Sequence, residues 1–179
     1  MVYVFLADGF EEMEALTPVD ILRRAEIDVQ TVGIGSKTVR GSHGIWVECD
    51  LYENEPNPLN LQMIVLPGGM PGALNLEKSL VVKAFIDHCA ENNIAIAAIC
   101  AAPAILGHMG LLNDKRFTCY SGFEGEAPLG KFTGGVCEKD GNIITSRGAG
   151  TALDFALLLL ETLKGSQRAQ LMKAALQCR

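Results

Sequence analysis

Cysteine is the most reactive side chain in this sequence, and its six cysteines, at positions 49, 89, 100, 119, 137 and 178, are not equivalent. Their spacing contains no CxxC pair and no zinc-ribbon pattern, so no metal site is indicated. Cys100 stands in Ala97-Ala98-Ile99-Cys100-Ala101-Ala102-Pro103, a buried strand that turns abruptly into a helix. This is the pattern of a nucleophile elbow, in which a strained strand-to-helix turn lifts the nucleophile to the carboxyl edge of a sheet. Alanines stand where the GxSxG form has glycines; they allow close approach but not the same backbone freedom. The amides opening the next helix would stabilise a thiolate, because a helix N-terminus carries about half a positive charge. Free cysteines are commonly buried and inert. Only Cys100 lies at the carboxyl end of a central strand, where open α/β sheets bind ligands.

Groups that would assist such a thiol are few. Pro67-Gly68-Gly69 ends the preceding strand and can point N–H groups into the same crevice as an oxyanion hole, although a simple turn also asks for glycine. Glu11, Glu12 and Glu14 follow the first strand. A carboxylate would repel a thiolate, so a useful acid is one held protonated by burial that donates to the sulfur, and Glu14 is nearest the helix interior. The plainer reading is three acids facing water at a helix N-terminus. His43 sits in a Gly-Ser-His-Gly turn, His88 in the middle of a helix and His108 near the end of the elbow helix, so no histidine is marked as a base for Cys100. Neither GxGxxG nor GxxxxGK[ST] occurs, and no nucleotide cofactor is indicated.

These residues must be positioned by the rest of the 179-residue chain, about one domain's length, here read as a single unit over 1–179. Hydrophobic residues make up 49% of the chain and charged residues 20%, enough to bury a core. The net charge of −6, with no basic stripe, argues against nucleic acid. The longest apolar stretch, Ile94 to Leu106, contains a proline and is too short for a membrane span. Val2 to Ala7 lacks the basic flank and cleavage pattern of a signal peptide, so the expected compartment is the reducing cytoplasm.

Strands are expected at 2–7, 28–34, 63–66 and 94–99, with helices at 11–25, 74–92 and 101–110 between and after them. Pro18 marks a kink or break in the first helix. An antiparallel excursion is expected over 38–48, short strands at 117–120, 132–137 and 142–146, and closing helices at 151–163 and 166–178. The β-α alternation points to an α/β protein with a mostly parallel sheet between helices.

Leu6-Ala7-Asp8-Gly9-Phe10-Glu11-Glu12-Met13-Glu14, Val65-Leu66-Pro67-Gly68-Gly69, Ala97 to Pro103 and Thr145-Ser146-Arg147-Gly148-Ala149-Gly150-Thr151 resemble, in order and spacing, the ThiJ/PfpI superfamily. The chain is most similar to the branch that holds the Parkinson-disease-associated protein deglycase and the bacterial ThiJ-like proteins. The resemblance implies a flavodoxin-like three-layer α/β/α sandwich, usually homodimeric, that needs no cofactor. It places Cys100 as nucleophile and Glu14 as the protonated acid bonded to its sulfur, with amides of Gly69 and Ala101 forming the anion hole. Gly68, Cys119 and Arg147 are accessory candidates. The protease-like branch has histidine directly after the cysteine, where this chain has Ala101, which disfavours a peptidase or amidase. The deglycase branch has a histidine after the elbow helix where this chain has Cys119 or Tyr120. Cys119 is therefore a candidate resolving thiol.

Two functions are expected from one site. The first is a glyoxalase- or deglycase-type hydro-lyase or hydrolase acting on small reactive aldehydes or early glycation adducts. The second is a stress protein that senses oxidants through a Cys100 sulfinate.

Overall fold

The expected alternation is present in the structure, a computed structural model that describes residues 1–178. β1 (Val2–Leu6) is buried at every position, as a strand covered on both faces requires. α1 (Glu12–Arg24) follows, with acids in its first turn and Arg23 and Arg24 in its last, matching the helix dipole. Pro18 lies inside α1 and does not break it. The bond it forfeits is outweighed by the apolar face, Val19, Ile21 and Leu22, that the helix buries beyond it. β2 (Val29–Gly33) leads to an antiparallel hairpin of β3 (Thr38–Arg40) and β4 (Trp46–Glu48), and β5 (Leu51–Tyr52) then pairs with β2.

After β6 (Met63–Leu66), the single helix expected over 74–92 is two: α2 (Gly72–Lys78) and α3 (Leu80–Glu91). Ser79 separates them, closing α2 through its N–H to the Leu76 carbonyl and capping α3 by accepting from the Val82 N–H. β7 (Ala95–Ile99) runs into α4 (Pro103–His108), which begins later than expected because residues 100–102 form the corner itself. The segment from 117 to 140 departs furthest from expectation. β8 (Arg116–Phe117) and β9 (Lys131–Phe132) are two-residue strands paired outside the main sheet. The strand expected over 132–137 is interrupted at Gly134, in left-handed backbone at φ +68°, and resumes as β10 (Cys137–Asp140). β11 (Ile143–Ser146), α5 (Ala152–Lys164) and α6 (Ser166–Ala175) complete the described chain.

The main sheet has seven strands in the order β10-β11-β7-β6-β1-β2-β5, parallel throughout except for β10. Alternate residues of β1 feed two cores. Val2, Val4 and Leu6 pack in the layer of α1, α5 and α6, and Tyr3 and Phe5 in the layer of α2, α3 and α4. The result is a flavodoxin-like three-layer α/β/α sandwich. Its strand order reverses at β1 and β6, and a switch point of this kind leaves a crevice outside the carboxyl ends of the strands. Among the described residues, no helix is long and apolar enough to cross a membrane.

Phe155, on α5, is wholly buried in the layer that holds α1 against the sheet. Phe155→Ala is expected to cost about 3–5 kcal/mol, seen as a lower urea midpoint at unchanged m-value.

Candidate active site

Four strand ends meet at the crevice. β1 delivers α1 and Glu14, β6 delivers Gly68 and Gly69, β7 delivers Cys100 and Ala101, and β11 delivers Arg147, Gly148 and Ala149. Cys100 has φ +67°, the left-handed region that a side chain rarely adopts, so the corner is a true nucleophile elbow. Its backbone is held from both sides: its N–H donates to the Ser146 carbonyl (3.0 Å) and its carbonyl accepts from the Tyr120 N–H (2.9 Å).

Glu14 is 1% exposed. Its Oε2 accepts from the Gly68 N–H at 2.9 Å, and the nearby Ala149 amide and Cys100 thiol favour its ionised form against the larger effect of burial. Two glycines make the approach feasible. A Cβ on Gly68 would lie 2.6 Å from the Cys100 Cβ and 2.7 Å from Glu14 Oε2. Gly69, at φ +87°, passes so close to the start of α1 that a Cβ would meet the Glu11 nitrogen at 2.4 Å. The amides of Gly69 and Ala101 lie beside the Cys100 sulfur and favour its ionised form.

Burial pushes the Glu14 carboxyl up to about 7, so it is half protonated near neutrality, in the direction expected for a proton donor. The helix-terminus amides favour the thiolate, as expected, but other influences on the sulfur are larger. Burial, followed by the charge of Glu14, pushes the Cys100 thiol up to about 12, against the smaller pull of the two amides. Between these values the pair carries one proton and one negative charge, and moving the proton from sulfur to carboxyl is the step that creates a thiolate.

The three acids of α1 divide the work, and the reading in which they face water is overturned for two of them. Glu11 caps the helix, its Oε2 accepting from the Glu14 N–H at 2.8 Å. Glu12, 6% exposed, holds the turn after β3: Oε1 accepts from the His43 N–H (2.8 Å) and Oε2 meets His43 Nδ1 (2.8 Å). Glu11, Glu12 and His43 bring one donor atom each within 4.8 Å, but Glu12 is committed to that turn. His108 is exposed, between Glu77 and Glu126, and these carboxylates raise its pKa. His88 hydrogen-bonds Asn92 on its own helix. Among the described residues, no histidine hydrogen-bonds Cys100.

Cys119 is buried, with its thiol pushed up to about 11 by burial, which makes it a weak resolving nucleophile in the resting protein. With the exposed Arg147 it lines a cavity of about 660 Å³ beside the elbow. The residues of the site not anticipated one by one are Gly148 and Ala149. Their signal was a glycine-rich strand end opening a helix, the backbone pattern that brings amides to a crevice.

Fold and site together define a flavodoxin-like α/β protein with a half-buried cysteine on a nucleophile elbow, paired with a buried carboxyl. The DJ-1/PfpI family model matches residues 1–162, and the chain belongs to that family. It is 38% identical over 178 residues to the Parkinson disease protein 7 homolog of Danio rerio, covering 97% of this chain and 94% of the relative. The glutathione-independent glyoxalase DJR-1.2 of Caenorhabditis elegans is 29% identical over 160 residues, covering 88% and 85%. The crystal structure of a DJ-1 superfamily protein from Salmonella typhimurium, a cysteine-to-alanine mutant, matches with a TM-score of 0.95 and 34% identity over 99% of this chain and 98% of that one.

Glu14 titrates near 7 in the folded protein and at its ordinary 4.5 when unfolded, so the native state binds the extra proton between these values. The contribution of Glu14 to stability is therefore expected to be full below pH 4.5 and to fall as pH rises to about 7, by about 3 kcal/mol in all. Urea titrations across this window should show the fall in the wild type and lose it in Glu14→Gln.

Proposed function

We propose that the protein is a cofactor-independent cysteine enzyme that converts reactive dicarbonyls to hydroxy acids, methylglyoxal to lactate in the simplest case, and acts likewise on early glycation adducts. The observation that carries this reading is the convergence on the Cys100 sulfur of the buried Glu14 carboxyl and the Gly69 and Ala101 amides. Proton transfer to Glu14 frees the thiolate, which adds to the aldehyde carbon. The new C–S bond forms as the carbonyl electrons move to oxygen, and that oxygen is held by the two amides and protonated by Glu14. The Glu14 carboxylate then takes the proton from the same carbon, and the enediol accepts a proton at the neighbouring carbon. The product is a lactoyl thioester, and water cleaves its C–S bond to release lactate and restore the thiol. No electrons are gained or lost overall, so neither glutathione nor a redox cofactor enters the balance. The glyoxalase named among the relatives supports the reaction class.

All six cysteines are free, in keeping with a reducing compartment, and we place the protein in the cytoplasm as a single-domain homodimer. The exposed apolar side chains Met13, Ile45 and Trp46, on α1 and on the hairpin that Glu12 ties to it, support the dimer.

Lactate formation from methylglyoxal without glutathione is expected from the wild type. Cys100→Ser should abolish it and Glu14→Gln should lower it by about 10²–10⁴-fold, the usual worth of general acid–base work. In the wild type kcat/KM should rise with pH to a plateau above about 7, as the pair loses its first proton. Wild-type rates in both variants would refute the mechanism.

The same cradle favours a second reading. Two amides and a carboxyl that carries a proton are the donors that would hold the oxygens of a Cys100 sulfinate. Graded peroxide followed by mass spectrometry should add two oxygens at Cys100 ahead of the other cysteines; indiscriminate oxidation would remove the sensor role.

A further inference from the structure

The cavity beside the elbow is far larger than methylglyoxal needs. Its volume of about 660 Å³ falls in the range of about 300–1,000 Å³ typical of sites for much larger ligands. It is joined to the reacting groups through its walls. Gly148 lies on the wall, and a Cβ there would sit 3.8 Å from Glu14 Oε1. Tyr120, also on the wall, gives its amide to the Cys100 carbonyl at 2.9 Å.

The chemistry of the walls is specific. Tyr120 and Phe132 expose aromatic surface, and the Tyr120 ring lies over Gly148, where a Cβ would stand 3.2 Å from its Cδ2. Two charged side chains line the cavity. Glu124 turns a carboxylate oxygen to the Gly122 N–H at 2.6 Å, within its own loop. Arg147 is exposed, and among the described residues its guanidinium has neither a salt bridge nor a side-chain hydrogen bond. The cavity thus offers an unengaged planar cation beside an aromatic wall, and two of its wall residues, Tyr120 and Gly148, adjoin Cys100 and Glu14. A guanidinium pairs bidentately with carboxylate or phosphate.

We propose that Arg147 is a specificity-determining residue and that the substrates which fill this site are 2-oxoaldehydes carrying a carboxylate or phosphate group, their apolar body against Tyr120 and Phe132 and their anionic end on Arg147. This rests on Cys100 being the nucleophile, and the test therefore reads binding as well as turnover. Turnover of 4,5-dioxopentanoate is compared with that of its methyl ester. Separately, NMR titrations with 4-oxopentanoate, its methyl ester and hydroxyacetone phosphate follow the amides of Tyr120, Phe132 and Gly148, with no reaction required. The acid is expected to exceed its ester by about 10–100-fold in both kcat/KM and Kd, the factor a charge-assisted hydrogen bond gives. Arg147→Ala should erase the preference and Arg147→Lys should keep part of it. The tighter of the two anions names the group the site takes. Equal binding of acid and ester, or a preference that survives Arg147→Ala, overturns the proposal. Discrimination in the titrations without turnover of any 2-oxoaldehyde would sustain the anion site and defeat the catalytic reading. Turnover with no discrimination would do the reverse.

Discussion

A single proton between a buried carboxyl and a half-buried thiol is the interaction around which this site is built. Ionising either group inside the protein is unfavourable; the charge of Glu14 makes ionisation of the thiol harder still, while the thiol eases ionisation of the carboxyl. The amides of Gly68 and Ala149 at the carboxyl, and of Gly69 and Ala101 at the sulfur, compensate for part of that cost. They come from three different strand ends. The parallel sheet is therefore more than a scaffold for Cys100, since its carboxyl edge is where backbone donors from separate segments reach one pair of atoms.

The elbow is kept in its unusual backbone conformation by neighbours on both sides. Ser146 and Tyr120 take up the N–H and carbonyl of Cys100, so relaxing φ from +67° would break a hydrogen bond on each flank. On α1, Glu11 terminates the helix, Glu12 fastens the hairpin turn and Glu14 faces the sulfur. The register of one helix thereby fixes three unlike environments for three like side chains.

Much of this is legible in local sequence. The all-buried run of β1 and the small residues around Cys100 carry their structure in composition and order alone. Ser79 is harder to read, because the apolar period continues through it and only its capping geometry divides the two helices. Residues 117–140 form short strands whose partners lie far along the chain, where local propensity has least authority. What raises the Cys100 thiol is hidden from local sequence for a related reason. A helix dipole acts within a few residues and can be read from sequence, whereas burial and the charge of Glu14, 86 positions earlier, exist only after folding. Ala149 escapes notice because it contributes an amide, and every residue type but proline has one.

The glycines at 68 and 69 carry a further consequence, for how such a site can diversify. Neither position has room for even a methyl group: one at 68 would displace Cys100 and Glu14, and one at 69 the backbone that opens α1. The Cys100 backbone is similarly fixed. The opposite wall is under no such restriction, since Tyr120 and Arg147 reach the cavity with exposed side chains. Mutational drift is thus partitioned by sterics: the half of the site that handles protons is frozen, and the half that meets the rest of a ligand is free to change, so new preferences can arise without rebuilding the chemistry.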